Sequence, residues 1–101
     1  MTRINLADLE AVVRRINRTV NGTDETPEWF RDDDGLHQSP DVYTLSGAYG
    51  GYALHRNCSV GADGHSHGVS DVLGTGHCPK RELYEQMHGF LRGIEAVDTT
   101  R

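Results

Sequence analysis

Apolar residues recur every three or four positions at both ends of this chain and every second position in its middle. That change of period sets the order of elements. Near the start, Leu6, Leu9, Val13, Ile16 and Val20 fall on one stripe of a helical repeat. Asn5 is placed to cap this helix, with Asp8 three residues on, and Asn21-Gly22 supplies a left-handed stop. Near the end, Pro79 stands at a first helical position. Leu83, Met87, Phe90 and Ile94 form the second stripe, flanked by Tyr84 and Leu91. Gly89 and Gly93 lie four apart in that helix, each costing about 1 kcal/mol relative to alanine. Such a cost predicts the close approach of another backbone.

In the middle, residues 41–46 alternate, with Tyr43 and Leu45 on one face and Val42 and Thr44 on the other. Gly47-Ala48-Tyr49-Gly50-Gly51 is a glycine-rich reversal, and residues 52–60 alternate again. Two alternating runs joined by a short glycine loop predict a β-hairpin. Residues 69–73 add a third short strand. The expected fold is α+β, in the order α-β-β-β-α. A helix (1–22), an acidic connector (23–40), a three-stranded antiparallel sheet (41–74) and a second helix (78–95) make one small domain, with both helices on one face of the sheet. The other face, carrying Thr44, Ala53, His55, Asn57 and Ser59, stays open, and an open face invites a homodimer.

The connector has a composition of its own. The chain's net charge is −5, but residues 1–23 carry +2 and residues 24–41 carry −6. Thr26-Pro27-Glu28 resembles a helix start, with Trp29 and Phe30 on a single short turn, and Asp32-Asp33-Asp34-Gly35 reads as a tight turn. Two adjacent large aromatics are expensive to expose together, so at least one of Trp29 and Phe30 is expected to anchor the connector to the core.

One domain is expected from these 101 residues, and a dinucleotide-binding fold with its own substrate domain is not. No apolar run approaches the roughly 20 residues of a membrane span. No secretory leader is legible, and two cysteines cannot frame a disulfide-rich secreted domain. A cytoplasmic protein is expected, with no membrane partner.

Three kinds of chemistry are testable against the residues. His55, Cys58, His65, His67, His77 and Cys78 lie within twenty-four positions, and imidazole and thiolate are zinc's preferred ligands. They lack the paired Cys-x-x-Cys or His-x-x-x-His spacing of a zinc motif, so a zinc module is the alternative reading and no cofactor the first. Cys78 ahead of a helix, near His77 and His55, has the elements of a nucleophile but no orienting third group, and no catalytic residue is assigned. Arg14, Arg15 and Arg18 put positive charge on the first helix, yet the −6 connector opposes a nucleic-acid partner.

The stretch Leu45-Ser46-Gly47-Ala48-Tyr49-Gly50-Gly51-Tyr52-Ala53-Leu54-His55-Arg56, together with Pro79-Lys80-Arg81-Glu82-Leu83-Tyr84 running into Met87-His88-Gly89-Phe90-Leu91-Arg92-Gly93, resembles a group of small proteins encoded by phages of actinobacteria. In that group a strand ending in Gly-Gly-Tyr precedes a terminal helix beginning Lys-Arg-Glu-Leu. The resemblance spans residues 42–95. It implies a protein made in a bacterial host during infection, with a role in host takeover and no catalytic residues. Lys80 is the chain's single lysine beside nine arginines, a bias that agrees with a GC-rich source. The expected function is therefore non-catalytic protein–protein binding, to a host protein or to a second copy. The candidate contact residues are Trp29, Phe30, Asp32, Asp33, Asp34, Tyr49, Tyr52 and His55.

Overall fold

A computed structural model describes residues 3–99. The first helix, α1, spans Leu6–Asn21. It starts in a capping box: the Asn5 side chain accepts from the Asp8 N–H, and the Asp8 carboxylate accepts from the Asn5 N–H, both at 2.9 Å. It stops at Gly22, which takes a left-handed φ of 77° and donates its N–H to the Arg18 carbonyl. Its buried residues are Leu9, Val12, Val13 and Ile16. The expected stripe is thus centred one position differently, with Val12 joining it and Leu6 and Val20 left exposed.

The connector is more ordered than its composition suggests. Within it, β1 (Trp29–Asp32) and β2 (Gly35–Gln38) pair antiparallel as a separate two-stranded sheet. The tight turn expected at Asp32–Gly35 is there, with Gly35 at a φ of 122° and the Asp32 carboxylate accepting the Asp34 N–H at 2.8 Å. Trp29 and Phe30 therefore lie on a strand and not on a helical turn. Neither reaches the core; they are 50% and 39% exposed. The strand points their side chains to opposite faces of the ribbon, and neither side chain joins the core cluster, so the expected anchor does not form.

Three strands follow as expected: β3 (Tyr43–Ala48), β4 (Gly51–Asn57) and β5 (Val69–Asp71), antiparallel in the order β3-β4-β5. Tyr49 and Gly50 form the two-residue turn between β3 and β4, with φ values of 54° and 73°. Positive φ at both positions matches the turn to the strands' twist. Along β4 the pairing continues past β5. Val72 donates its N–H to the Leu54 carbonyl, the chain loops out through residues 73–77, and Cys78 returns to exchange both backbone hydrogen bonds with Tyr52. The Asp71 carboxylate holds this loop by accepting the N–H groups of Gly74 and Gly76. Gly51 lies directly against the returning strand, where a Cβ would stand 2.9 Å from the Cys78 carbonyl oxygen.

The last helix, α2, spans Lys80–Thr99. Leu83, Met87 and Leu91 are its fully buried residues, with Tyr84, Phe90 and Ile94 partly covered. They meet Leu9, Val12, Val13 and Ile16 of α1 and Tyr43 and Leu54 of the sheet in one core. Leu45 and Tyr52 extend that face, so both helices cover one side of the three-stranded sheet. Gly89 and Gly93 do not mark a backbone contact: a Cβ at either would meet no atom within 4 Å. The sheet's other face is less open than expected. Ala53 and Asn57 are 1% and 0% exposed there, and the Asn57 amide donates to the carbonyls of Ser39 and Glu28, which holds the connector across that end.

Candidate functional site

The hairpin and the 58–68 loop meet through polar contacts. Gln38 at the end of β2 is 6% exposed, and its amide nitrogen donates to the Ser66 hydroxyl at 2.9 Å and the Gly68 carbonyl at 2.6 Å. Ser66 is also buried and donates to the Cys58 carbonyl. Gln38 and Ser66 pair as an isolated antiparallel bridge. This bridge sets which side chains of hairpin and loop can touch.

The β1–β2 register splits the hairpin into two faces. Trp29, Arg31 and Leu36 share one, and Trp29 and Leu36 are 50% and 57% exposed. A shallow cavity of about 120 Å³ opens beside them, lined also by Gln38, Ser66 and Gly68. Phe30, Asp32 and His37 share the other face, where the Phe30 and His37 rings lie 5.7 Å apart. Asp33 and Asp34 form the exposed tip between the strands.

On the Phe30 face the loop brings up a second imidazole. The His37 and His65 rings are stacked, with centroids 4.1 Å apart and planes 2° from parallel. His37 Nε2 has almost no exposed surface and lies 2.9 Å from Asp32 Oδ1, within ion-pair range but without the direction of a hydrogen bond. Partial desolvation pushes the Asp32 carboxyl up, but the Asp34 N–H and the neighbouring His37 and His65 outweigh it and hold the group below its ordinary value. Asp63 is held low as well, first by the His67 ring 2.7 Å away and then by the His65 N–H. Asp34, His37 and His65 each offer one ligand atom, and all three atoms lie within 4.8 Å of one another.

Of the six residues expected to hold zinc, only His65 belongs to this group. His67 pairs with Asp63 and is 71% exposed. His55 and His77 form a separate pair on the far face of the three-stranded sheet, ring centroids 5.9 Å apart, with His77 Nε2 3.0 Å from the Ser46 hydroxyl. Cys58 and Cys78 are free thiols. Burial, helped by the charges of Glu82 and Asp71, pushes the Cys78 thiol up, the reverse of what a nucleophile needs. Its sulfur donates to the Tyr52 carbonyl at 3.6 Å.

The remaining expected contact residues are dispersed. Tyr49 is 97% exposed at its turn, edge-on to His77, while Tyr52 is packed against the core. Two of the three α1 arginines are drawn into ion pairs, Arg15 with Glu95 at 3.2 Å and Arg18 with Asp24 at 2.6 Å. Among the described residues no helix is long and apolar enough to cross a membrane. Sequence reasoning did not name His37 as a ligand. The available signal was its place three residues after Asp34, on the strand that leaves the tight turn.

Compared with known proteins, the chain matches no family model, no curated protein and no solved structure.

Proposed function

We propose that the chain is a small non-catalytic accessory protein, of the phage-encoded kind its sequence resembles, that acts in the host cytoplasm by binding another protein. The observation that carries this reading is the hairpin face on which Trp29, Arg31 and Leu36 stand together outside the core. Tryptophan and arginine are the residues that most often dominate interface energies. Asp32, Asp33 and Asp34 at the tip add negative charge beside the apolar surface. The complementary partner is a host protein with an apolar slot bordered by lysine or arginine. A second copy of the chain is the weaker candidate, because two identical acidic tips repel.

The test is capture from host lysate by the wild-type chain and by a Trp29→Ala/Leu36→Ala variant side by side. The reading requires a host protein that the wild type retains and the variant releases, at unchanged melting temperature. Its retention should weaken as salt screens the acidic tip. Equal retention by both chains, or none above background, rejects the reading. A dimer in sedimentation that dissociates in the variant assigns the face to a second copy instead.

A further inference from the structure

We infer that Asp34, His37 and His65 form a site for one divalent transition-metal ion of zinc's class, which clasps the tip of the hairpin to the 58–68 loop. Three observations carry this. The ligand atoms come from three places in the chain, a turn, strand β2 and a distant loop, yet converge within 4.8 Å. His37 Nε2 is buried, and the acid beside it, Asp32 at 2.9 Å, lies off the direction of a good hydrogen bond. Finally, the imidazoles stand among carboxylates: Asp32 is 2.9 Å from His37, and Asp63 is bonded to the His65 N–H and to His67. A cation there would be drawn by negative charge that the two rings do not cancel when neutral.

The donor set selects the ion. Two imidazoles and a carboxylate suit zinc and its first-row neighbours, whereas calcium and magnesium take oxygen ligands. Tetrahedral ligand atoms about 2.1 Å from zinc lie roughly 3.4 Å apart, so the group has to close by about 1.4 Å at most. Parallel rings keep their lone pairs in two separate parallel planes, and one ion cannot lie in both, so one ring must also turn out of the stack. His65 is placed to do so, in a loop with glycines at 61, 64 and 68. Asp32 or a water supplies the fourth ligand. The bound ion would add a link between two segments otherwise joined mainly through Gln38 and Ser66.

The inference does not depend on what the hairpin binds. The test uses untagged full-length protein stripped with chelator, titrated with zinc chloride against a chromophoric competitor, and separately with cobalt(II), whose visible spectrum reports tetrahedral nitrogen and oxygen ligation. One ion per chain is expected, with a rise in melting temperature on loading. His65→Ala and Asp34→Asn, both outside the core, should each weaken binding more than about tenfold. His77→Ala should leave it unchanged. The inference is overturned if no stoichiometric binding is found, if His65→Ala and Asp34→Asn bind as the wild type does, or if His77→Ala abolishes binding. Melting curves of the stripped variants confirm that each still folds.

Discussion

Asn17 on α1 treats the backbone of Tyr43 as a neighbouring strand would: its amide nitrogen donates to the Tyr43 carbonyl at 2.9 Å, and its carbonyl accepts the Tyr43 N–H at 2.8 Å. β3 is an edge strand, and one side chain satisfies both groups of its first residue. It also fixes the helix along the sheet, beside the Asn21 amide bonded to the Asp41 carbonyl. Asn17→Ala should cost about 1–3 kcal/mol, read by urea or thermal unfolding. Asn17→Asp keeps the acceptor but sets a carboxylate oxygen against the Tyr43 carbonyl, so at neutral pH it should cost at least as much as alanine. An alanine variant as stable as the wild type would show that water replaces both bonds at no cost.

Gly89 and Gly93 weaken α2 with no steric reason on their own chain. Gly89→Ala and Gly93→Ala should each raise stability by about 1 kcal/mol. That is a gain of about 4–8 °C in melting temperature for a domain of this size. A loss of stability at either position would mean that something packs on this face in solution, which a concentration-dependent melt would then reveal.

Gly51 should behave in the opposite way. An added Cβ would meet the Cys78 backbone at 2.9–3.1 Å, and backbone cannot step aside as a flexible side chain would. Gly51→Ala should destabilise by about 1–3 kcal/mol, the usual cost of overpacking. Amide exchange should quicken at Tyr52 and Cys78 first, because their paired hydrogen bonds are the ones pushed apart. Protected amides there with an unchanged melt would rule out the close approach.

Asp24 carries a pH signature. The hydrogen bond from Arg18, with the Arg18 and Arg14 charges behind it, outweighs burial and holds its carboxyl below the ordinary 3.8. A group whose folded pKa is depressed contributes its stability above the unfolded pKa. It loses that contribution as pH falls through the folded value. Asp24→Asn should therefore lower stability slightly at neutral pH and not at all at the acid extreme. Unfolding curves from neutral pH to below 3.8 should converge for the two chains; a constant offset would assign the effect to something other than ionisation. The neutral-pH difference stays small, as for exposed pairs generally.

The helices were legible because their signals are local. Asn5 with Asp8, Gly22 and the two stripes are each readable within a few residues. The β3–β4 hairpin was legible for the same reason, through alternation and a glycine turn. The β1–β2 ribbon was not. Its turn shows in Asp32–Gly35, but its strands bury neither face in the core, so no apolar alternation marks them. Which face of α2 turns inward was likewise set by packing: Leu91 is buried while Phe90 is only partly covered, a choice that periodicity leaves open between adjacent residues. The His37–His65 contact depends on Gln38 finding Ser66 twenty-eight residues away, which no spacing rule announces.

Trp29, Arg31 and Leu36 stand outside the cluster that holds the helices to the sheet. The residues that would choose a partner and those that maintain the fold are therefore two separate sets. Exchanges at exposed positions usually shift stability by no more than about 0.5 kcal/mol. Under the proposed binding role, the ribbon's outer side chains could be revised one at a time while the helices stay as they are, without stability first having to be acquired to spare.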